Sequence, residues 1–215
     1  MHVVSIGVDL NLYHALNDFA YHHHWIGDIA KFFATDALFV VIALLVAGWL
    51  APTRIASEPL RRGIAAAGFS ALLALGLVQV INHVYDRARP FVHHAHHLLI
   101  SHGADASFPS DHASALFAVS FALLVRRRST GWIALLIALV VSVARVMVGV
   151  HYPSDVAAGV LIGGAAAAAL YTSAARIRID SLSDSMTGIR DRAATTITAY
   201  TTRHRDTTPT PSRDS

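Results

Sequence analysis

Five apolar runs of about membrane-helix length divide the middle of the chain: Asp28–Ala51, Gly63–Tyr85, Ser110–Val125, Gly131–Val150 and Pro153 to about Ala175. An α-helix needs about 20 mainly apolar residues to cross the hydrocarbon core, and in lipid its backbone groups must find partners within the span. The pattern therefore predicts an all-α, polytopic bundle of about five to six transmembrane helices. Composition agrees. Of 215 residues 54% are hydrophobic and 14% are charged, and mean hydropathy is +0.48, whereas soluble domains carry about a quarter charged residues.

The flanks read differently. Residues 1–27 place Leu10, Leu12, Tyr13, Leu16, Phe19 and Trp25 at roughly helical spacing, interrupted by Asp9, Asp18 and His22 to His24. That suits an amphipathic helix in the membrane interface, and a helix packed on other protein segments fits the same pattern. Residues 28–175 form the membrane domain. Residues 176–215 are mostly Ser, Thr, Asp and Arg with almost no apolar periodicity, and are expected to be a disordered polar tail. The N-terminus lacks a basic stretch before a compact apolar core, so no cleavable signal peptide is expected.

The formal net charge is +3. No nucleic-acid partner is expected, because the arginines sit in short loops and the tail rather than on one folded face. Their placement instead orients the bundle. Arg54, Arg61 and Arg62, then Arg126 to Arg128, then Arg176 and Arg178 fall on alternate turns. The positive-inside rule makes that side cytoplasmic, so the loop 86–109 and the turn 151–153 face outward and the tail lies inside. With no Cys, there are neither disulfides nor Cys-ligated metals.

Arg87, Arg89 and Arg145 oppose this bias, and charges at membrane depth are commonly functional. They belong to three stretches: Arg87-Ala-Arg89-Pro90-Phe91, Ser107-Phe-Pro109-Ser110-Asp111-His112, and Arg145 through His151 to Asp155. Alternating helices bring all three to one membrane face. Pro-Ser-Asp occurs at 109–111 and at 153–155, and each reads as a helix start presenting free N–H groups to an anion. Guanidinium groups at Arg89 and Arg145 suit phosphate oxygens. His151 and His112 supply a nucleophile and an acid near neutrality, and Asp155 is expected to hold the tautomer of His151.

These stretches resemble the signature of the type-2 phosphatidic acid phosphatase family, which runs Lys-x6-Arg-Pro, Pro-Ser-Gly-His, Ser-Arg-x5-His-x3-Asp. The resemblance covers about residues 60–170. It implies a phosphatase without metal or other cofactor, in which His151 attacks phosphorus and forms a phosphohistidine, Asp155 supports it, and His112 protonates the leaving oxygen and then activates water. Arg89, Arg145, Ser110 and the helix-start N–H groups, Asp111 among them, would hold the phosphate. The sequence departs from the pattern at three places: Asn82 stands in the Lys slot, Asp111 replaces Gly, and Ala144 replaces Ser. Arg87 is the expected substitute for the missing lysine. Arg-x-Arg-Pro-Phe followed by Ser-Phe-Pro-Ser-Asp-His-Ala is similar to the branch that hydrolyses undecaprenyl diphosphate at the outer face of the bacterial inner membrane. A polyprenyl diphosphate lipid is therefore the expected substrate, with membrane lipids around it.

Other readings stay open. The family also includes phosphatidate, phosphatidylglycerophosphate and lipid A phosphatases. Vanadate-binding haloperoxidases share the anion constellation by resemblance, although a membrane-embedded chain argues against one. His93, His94, His96, His97, His102 and His22 to His24 allow a non-enzymatic metal carrier, but adjacent histidines in a loop lack fixed geometry, and a solvated loop facing lipid headgroups is the expectation. Gly159 and Gly163 form a small-residue pair expected to pack helices within one chain. The oligomeric state is open.

Overall fold

The computed structural model describes residues 2–52, 55–93 and 97–205. All regular structure among them is helical: α1 His2–His22, α2 His24–Thr35, α3 Ala37–Leu50, α4 Glu58–Val84, α5 Pro90–His93, α6 Asp111–Arg126, α7 Arg128–Met147, α8 Pro153–Leu170 and α9 Ser173–Arg205.

The bundle is wound around α6. This helix touches α4, α7 and α8, and it is buried continuously from Ala113 to Ser120. The contact is close because the facing residues are small. Ala118 and Ala122 of α6 meet Ala66, Ala67 and Ala74 of α4 and Ala166 and Ala167 of α8 in the core clusters. Gly159 and Gly163 bring the α8 backbone onto α6. A Cβ at Gly163 would lie 2.7 Å from the Ala118 nitrogen and 2.7 Å from the Ser114 carbonyl, and one at Gly159 would lie 2.7 Å from the Ala113 Cβ. The small-residue pair thus packs inside the monomer.

α4, α7 and α8 are long and apolar enough to cross a membrane. The span expected at 28–51 is broken: α2 and α3 meet at Asp36 with a bend of 47° and together make a fourth candidate. Thr35 Oγ1 lies 2.8 Å from the Lys31 carbonyl and 2.8 Å from Asp36 Oδ2, and donation to the Lys31 carbonyl is the back-bonding that bends helices. The third expected span coincides with α6, which has only 16 residues. Its burial among the other helices removes the need for a full lipid-facing length.

The expected disordered tail differs most. Residues 173–205 form α9, which lies against the end of the bundle away from the three motifs. Arg62 holds Asp184 with two bonds of 2.9 and 2.8 Å, Arg126 holds Asp180 at 2.6 Å, and Arg190 Nη1 donates to the Trp49 carbonyl at 2.8 Å. The buried stripe is Ile179, Ser183 and Thr187. Two of its three members are hydroxyl residues, so a search for apolar periodicity passes over it. At the other terminus α1 buries Tyr13, Asn17 and Ala20 and contacts α2, α7 and α8, while Val8, Leu12 and Phe19 remain exposed.

The α6–α8 seam can be tested directly. Gly163→Ala is expected to destabilise the detergent-solubilised protein by about 1–3 kcal/mol, the usual result of overpacking, measured as a lowered thermal midpoint. Gly68→Ala is the control, because nothing lies within 4 Å of a Cβ there.

Candidate active site

The C-terminal ends of α4 and α7 and the N-terminal ends of α6 and α8 lie at the same end of the bundle. There the three motifs converge. Gly149 makes the local path possible. Its φ is +92°, a Cβ on it would lie 2.7 Å from the His97 carbonyl, and this left-handed conformation is cheap only for glycine. The turn it closes returns the chain toward Arg145, with Val150 N–H bonding the Arg145 carbonyl at 3.3 Å, and so brings His151 beneath that arginine.

His151 is 2% exposed. Its Nδ1 lies 2.9 Å from the Ser107 carbonyl. A carbonyl only accepts, so Nδ1 carries the proton and Nε2 presents its lone pair. That lone pair faces Arg89 Nη1 and Arg145 Nη2, each at 3.3 Å. Burial first, then the charges of Arg145 and Arg89, hold the imidazole pKa well below its ordinary value. His151 is therefore neutral at physiological pH.

Both arginines are braced by backbone oxygens. Arg145 Nη1 donates to the Ala34 carbonyl at 3.1 Å, at the bend between α2 and α3. Arg89 donates to the Val150 carbonyl at 3.0 Å and the Ala106 carbonyl at 3.1 Å. Buried like charges around one nitrogen are unfavourable without a counter-ion, and the Arg145 Nε is a buried donor without a partner. The arrangement suits an anion with several oxygens.

Asp155 does not itself bond His151. Its Oδ2 lies 3.6 Å from Nδ1, beyond a hydrogen bond, and accepts instead from Ser107 Oγ at 2.5 Å and Tyr152 N–H at 2.8 Å. The tautomer expected from Asp155 is set by the Ser107 carbonyl, which Asp155 anchors. Arg87 is also placed differently from expectation. It donates to Asp155 at 2.7 Å, Ser154 at 2.7 Å and Asp9 at 2.8 Å, and its guanidinium lies 4.0 Å from the Tyr152 ring centroid. Three acceptors hold it on the far side of Asp155, so it does not stand in for the missing lysine. Asn82 remains on the last turn of α4 with its Oδ1 buried and unpartnered, and no hydrogen bond joins it to the arginines.

Ser110 is fully buried and caps α6, accepting from Ala113 N–H at 3.5 Å. His112, on the first turn of α6, interacts electrostatically with Arg145, His151, His102 and Arg89. Its ring has no hydrogen-bond partner among the described residues. Asp111 lines, with His112, the head of an apolar cleft.

Three participants were not assigned from sequence. Ser107 was visible in its motif, but only folding turns its carbonyl toward His151. His102 and Asp105 lie in the loop before it. His102 Nε2 is 3.0 Å from Arg145 Nη2, and Asp105 Oδ1 is 3.0 Å from Arg89 Nε. Burial, opposed by the Gly103 carbonyl and reinforced by Arg89 and Arg145, lowers the His102 pKa. Against burial, the Arg89 bond holds Asp105 below the usual carboxylate range. No spacing rule links these loop residues to the arginines. Among the described residues there is no group of three His, Asp or Glu able to hold a metal. Of the loop histidines, His94 and His96 lie outside the described residues.

A helical membrane bundle that buries a neutral imidazole between two guanidinium groups suits a membrane phosphatase, and the relatives of the chain are of that class. The chain belongs to the PAP2 superfamily, whose signature matches residues 63–179. It is 33% identical to undecaprenyl-diphosphatase BcrC of Bacillus subtilis over 155 residues, 72% of this chain and 78% of that protein. It is 30% identical to the putative undecaprenyl-diphosphatase YbjG of Escherichia coli, over 73% of this chain and 77% of that one. In fold it is similar to LpxE of Aquifex aeolicus, with a TM-score of 0.56 at 21% identity, covering 74% of this chain and 92% of that one.

Buried His151 and half-buried His102 make stability depend on pH. An unfolded histidine titrates near 6.5, and His151 and His102 titrate lower when folded. The unfolded chain therefore takes up protons on these groups first as pH falls, and their contribution to folding stability declines progressively below about pH 6.5. The thermal midpoint is expected to drop between pH 7.5 and 5.5, with a smaller drop for His102→Gln.

Proposed function

We propose that this chain hydrolyses undecaprenyl diphosphate to undecaprenyl phosphate and phosphate, with its active end on the outer face of the bacterial plasma membrane and α9 in the cytoplasm. The observation that carries this reading is the continuity of the buried phosphate-type site with an apolar cleft. The cleft has a volume of about 730 Å³ and runs from Asp111 and His112 along α6, between α3 and α4, past Leu38, Leu45, Gly68 and Leu72. A phosphorylated headgroup at the arginines leaves the lipid chain opposite this surface, where it is held by van der Waals packing, because the surrounding lipid is as apolar as the cleft. The diphosphate specificity is carried over from the relatives named above, and the orientation rests on the arginine distribution.

In this mechanism the Nε2 lone pair of His151 attacks the terminal phosphorus. The bond from that phosphorus to the bridging oxygen breaks, and His112 gives its proton to the departing lipid phosphate. Arg89 and Arg145 bind the equatorial oxygens as negative charge spreads over them. His112 then takes a proton from water, the water oxygen attacks the phosphohistidine, the N–P bond breaks, and phosphate leaves. Ser107, held by Asp155, keeps the Nδ1 proton in place throughout.

The decisive measurement is phosphate release by purified protein, with chelator present, from undecaprenyl diphosphate, phosphatidate and phosphatidylglycerophosphate. The diphosphate is expected to react fastest, His151→Ala to abolish release, and His112→Ala to slow it by about 10² to 10⁴-fold. Turnover retained in His151→Ala rejects the nucleophile, and a faster monoester rejects the substrate. The cleft has its own test. A side chain at Gly68 enters open space, so Gly68→Leu is expected to raise KM for the long-chain lipid several-fold while leaving a short soluble isoprenoid diphosphate unaffected.

A further inference from the structure

The support of His151 begins outside the segment that carries the family signature. On α1, Asp9 reaches the start of α8. Its Oδ1 accepts the Ser154 N–H at 2.9 Å, and its Oδ2 accepts the Ser154 hydroxyl at 2.6 Å and Arg87 Nη2 at 2.8 Å. Its side chain is 10% exposed. One acid thus satisfies an unpaired N–H in the first turn of α8, where negative charge is favoured, and holds the guanidinium that grips Asp155. A second anchor keeps α1 in register. Asn17, fully buried, donates to the His97 and Met147 carbonyls, each at 2.8 Å, and accepts the His97 N–H at 3.0 Å.

We propose that Asp9 is a positioning residue for the reaction, acting on His151 through Arg87, Asp155 and Ser107. This rests on the reading of His151 as the nucleophile. Arg87 Nη1 reaches Asp155 Oδ1 at 2.7 Å, the other Asp155 oxygen receives the Ser107 hydroxyl, and the Ser107 carbonyl receives the His151 Nδ1 proton. Each contact except the last involves an ionised group, the stronger kind of hydrogen bond. Arg87 is shared between two carboxylates. Without Asp9 it retains one, and the partly exposed end of its side chain is free to leave for solvent. Asp155 then loses the partner that fixes Oδ1, and the Ser107 carbonyl loses its rigid backing. The nucleophile stays present but is less accurately aimed, while Arg89 and Arg145, which do not touch Asp9, still bind the anion.

Phosphate release from undecaprenyl diphosphate tests this in the full-length protein. Asp9→Asn, which keeps the size and removes the charge, is expected to lower kcat about 10-fold to 100-fold, as misplacement of a reacting group does, with KM changed less than twofold. Asp9→Glu recovers part of the loss. In an Arg87→Ala background Asp9→Asn costs nothing further, because the path is already cut. A wild-type kcat in folded Asp9→Asn overturns the proposal, and so do losses that multiply in the double variant or a KM that rises with the fall in kcat. If Asp9→Asn does not fold, Ser154→Ala decides. It removes the hydroxyl shared by Asp9 and Arg87 and leaves both charges, so a several-fold lower kcat at constant KM supports the proposal and a wild-type kcat overturns it. His151→Ala separates the two failures: when it is inactive the nucleophile reading stands whatever Asp9 does, and when it is active the proposal falls with that reading.

Discussion

Two guanidinium groups share one imidazole nitrogen, each 3.3 Å away, and both arginines are almost wholly buried. Few arrangements in a protein are less favourable without an anion. The surrounding structure makes it tolerable. Carbonyls of Ala34, Ala106 and Val150 and the side chains of Asp105 and His102 take up donors of Arg89 and Arg145. Burial, and then the positive field that remains, keeps His151 neutral, and the same field suits the oxygens of an anion.

Rigidity comes from irregularities that would be defects elsewhere. The bend at Asp36 puts the Ala34 carbonyl where Arg145 needs it. The left-handed Gly149 returns the chain so that His151 meets an arginine six residues before it. Small residues along α6 and α8 let two helix starts approach closely, and Ser110 N–H bonds the Asp155 carbonyl at 3.1 Å. Each feature spends regular helical geometry to aim a side chain, which is how reactive groups are preorganised.

Much of this was legible in the chain. Arg89, Arg145, His151, His112 and Asp155 were marked by type and spacing, and helix alternation placed them on one face. Arg87 misled, because a sequence shows a cation in an arginine-rich motif but not the carboxylates that claim it. Asp9 and Asn17 went unread for the same reason: their partners lie 78 and 80 residues or more away along the chain. The tail misled differently. Hydropathy measures the side chain alone, and α9 docks mainly through ion pairs with Arg62 and Arg126 and a stripe containing Ser183 and Thr187.

By itself the sequence determined the solvent, the class of fold and the side chains that meet at the candidate site. Runs of apolar residues leave the backbone no partner but itself, and two imidazoles and two guanidinium groups suited to phosphate can be picked out by their chemistry. Only the tertiary structure decided what each charge answers to. Pairing energy depends on distances of a few ångströms between residues remote in the chain, and such distances exist only once the helices have packed.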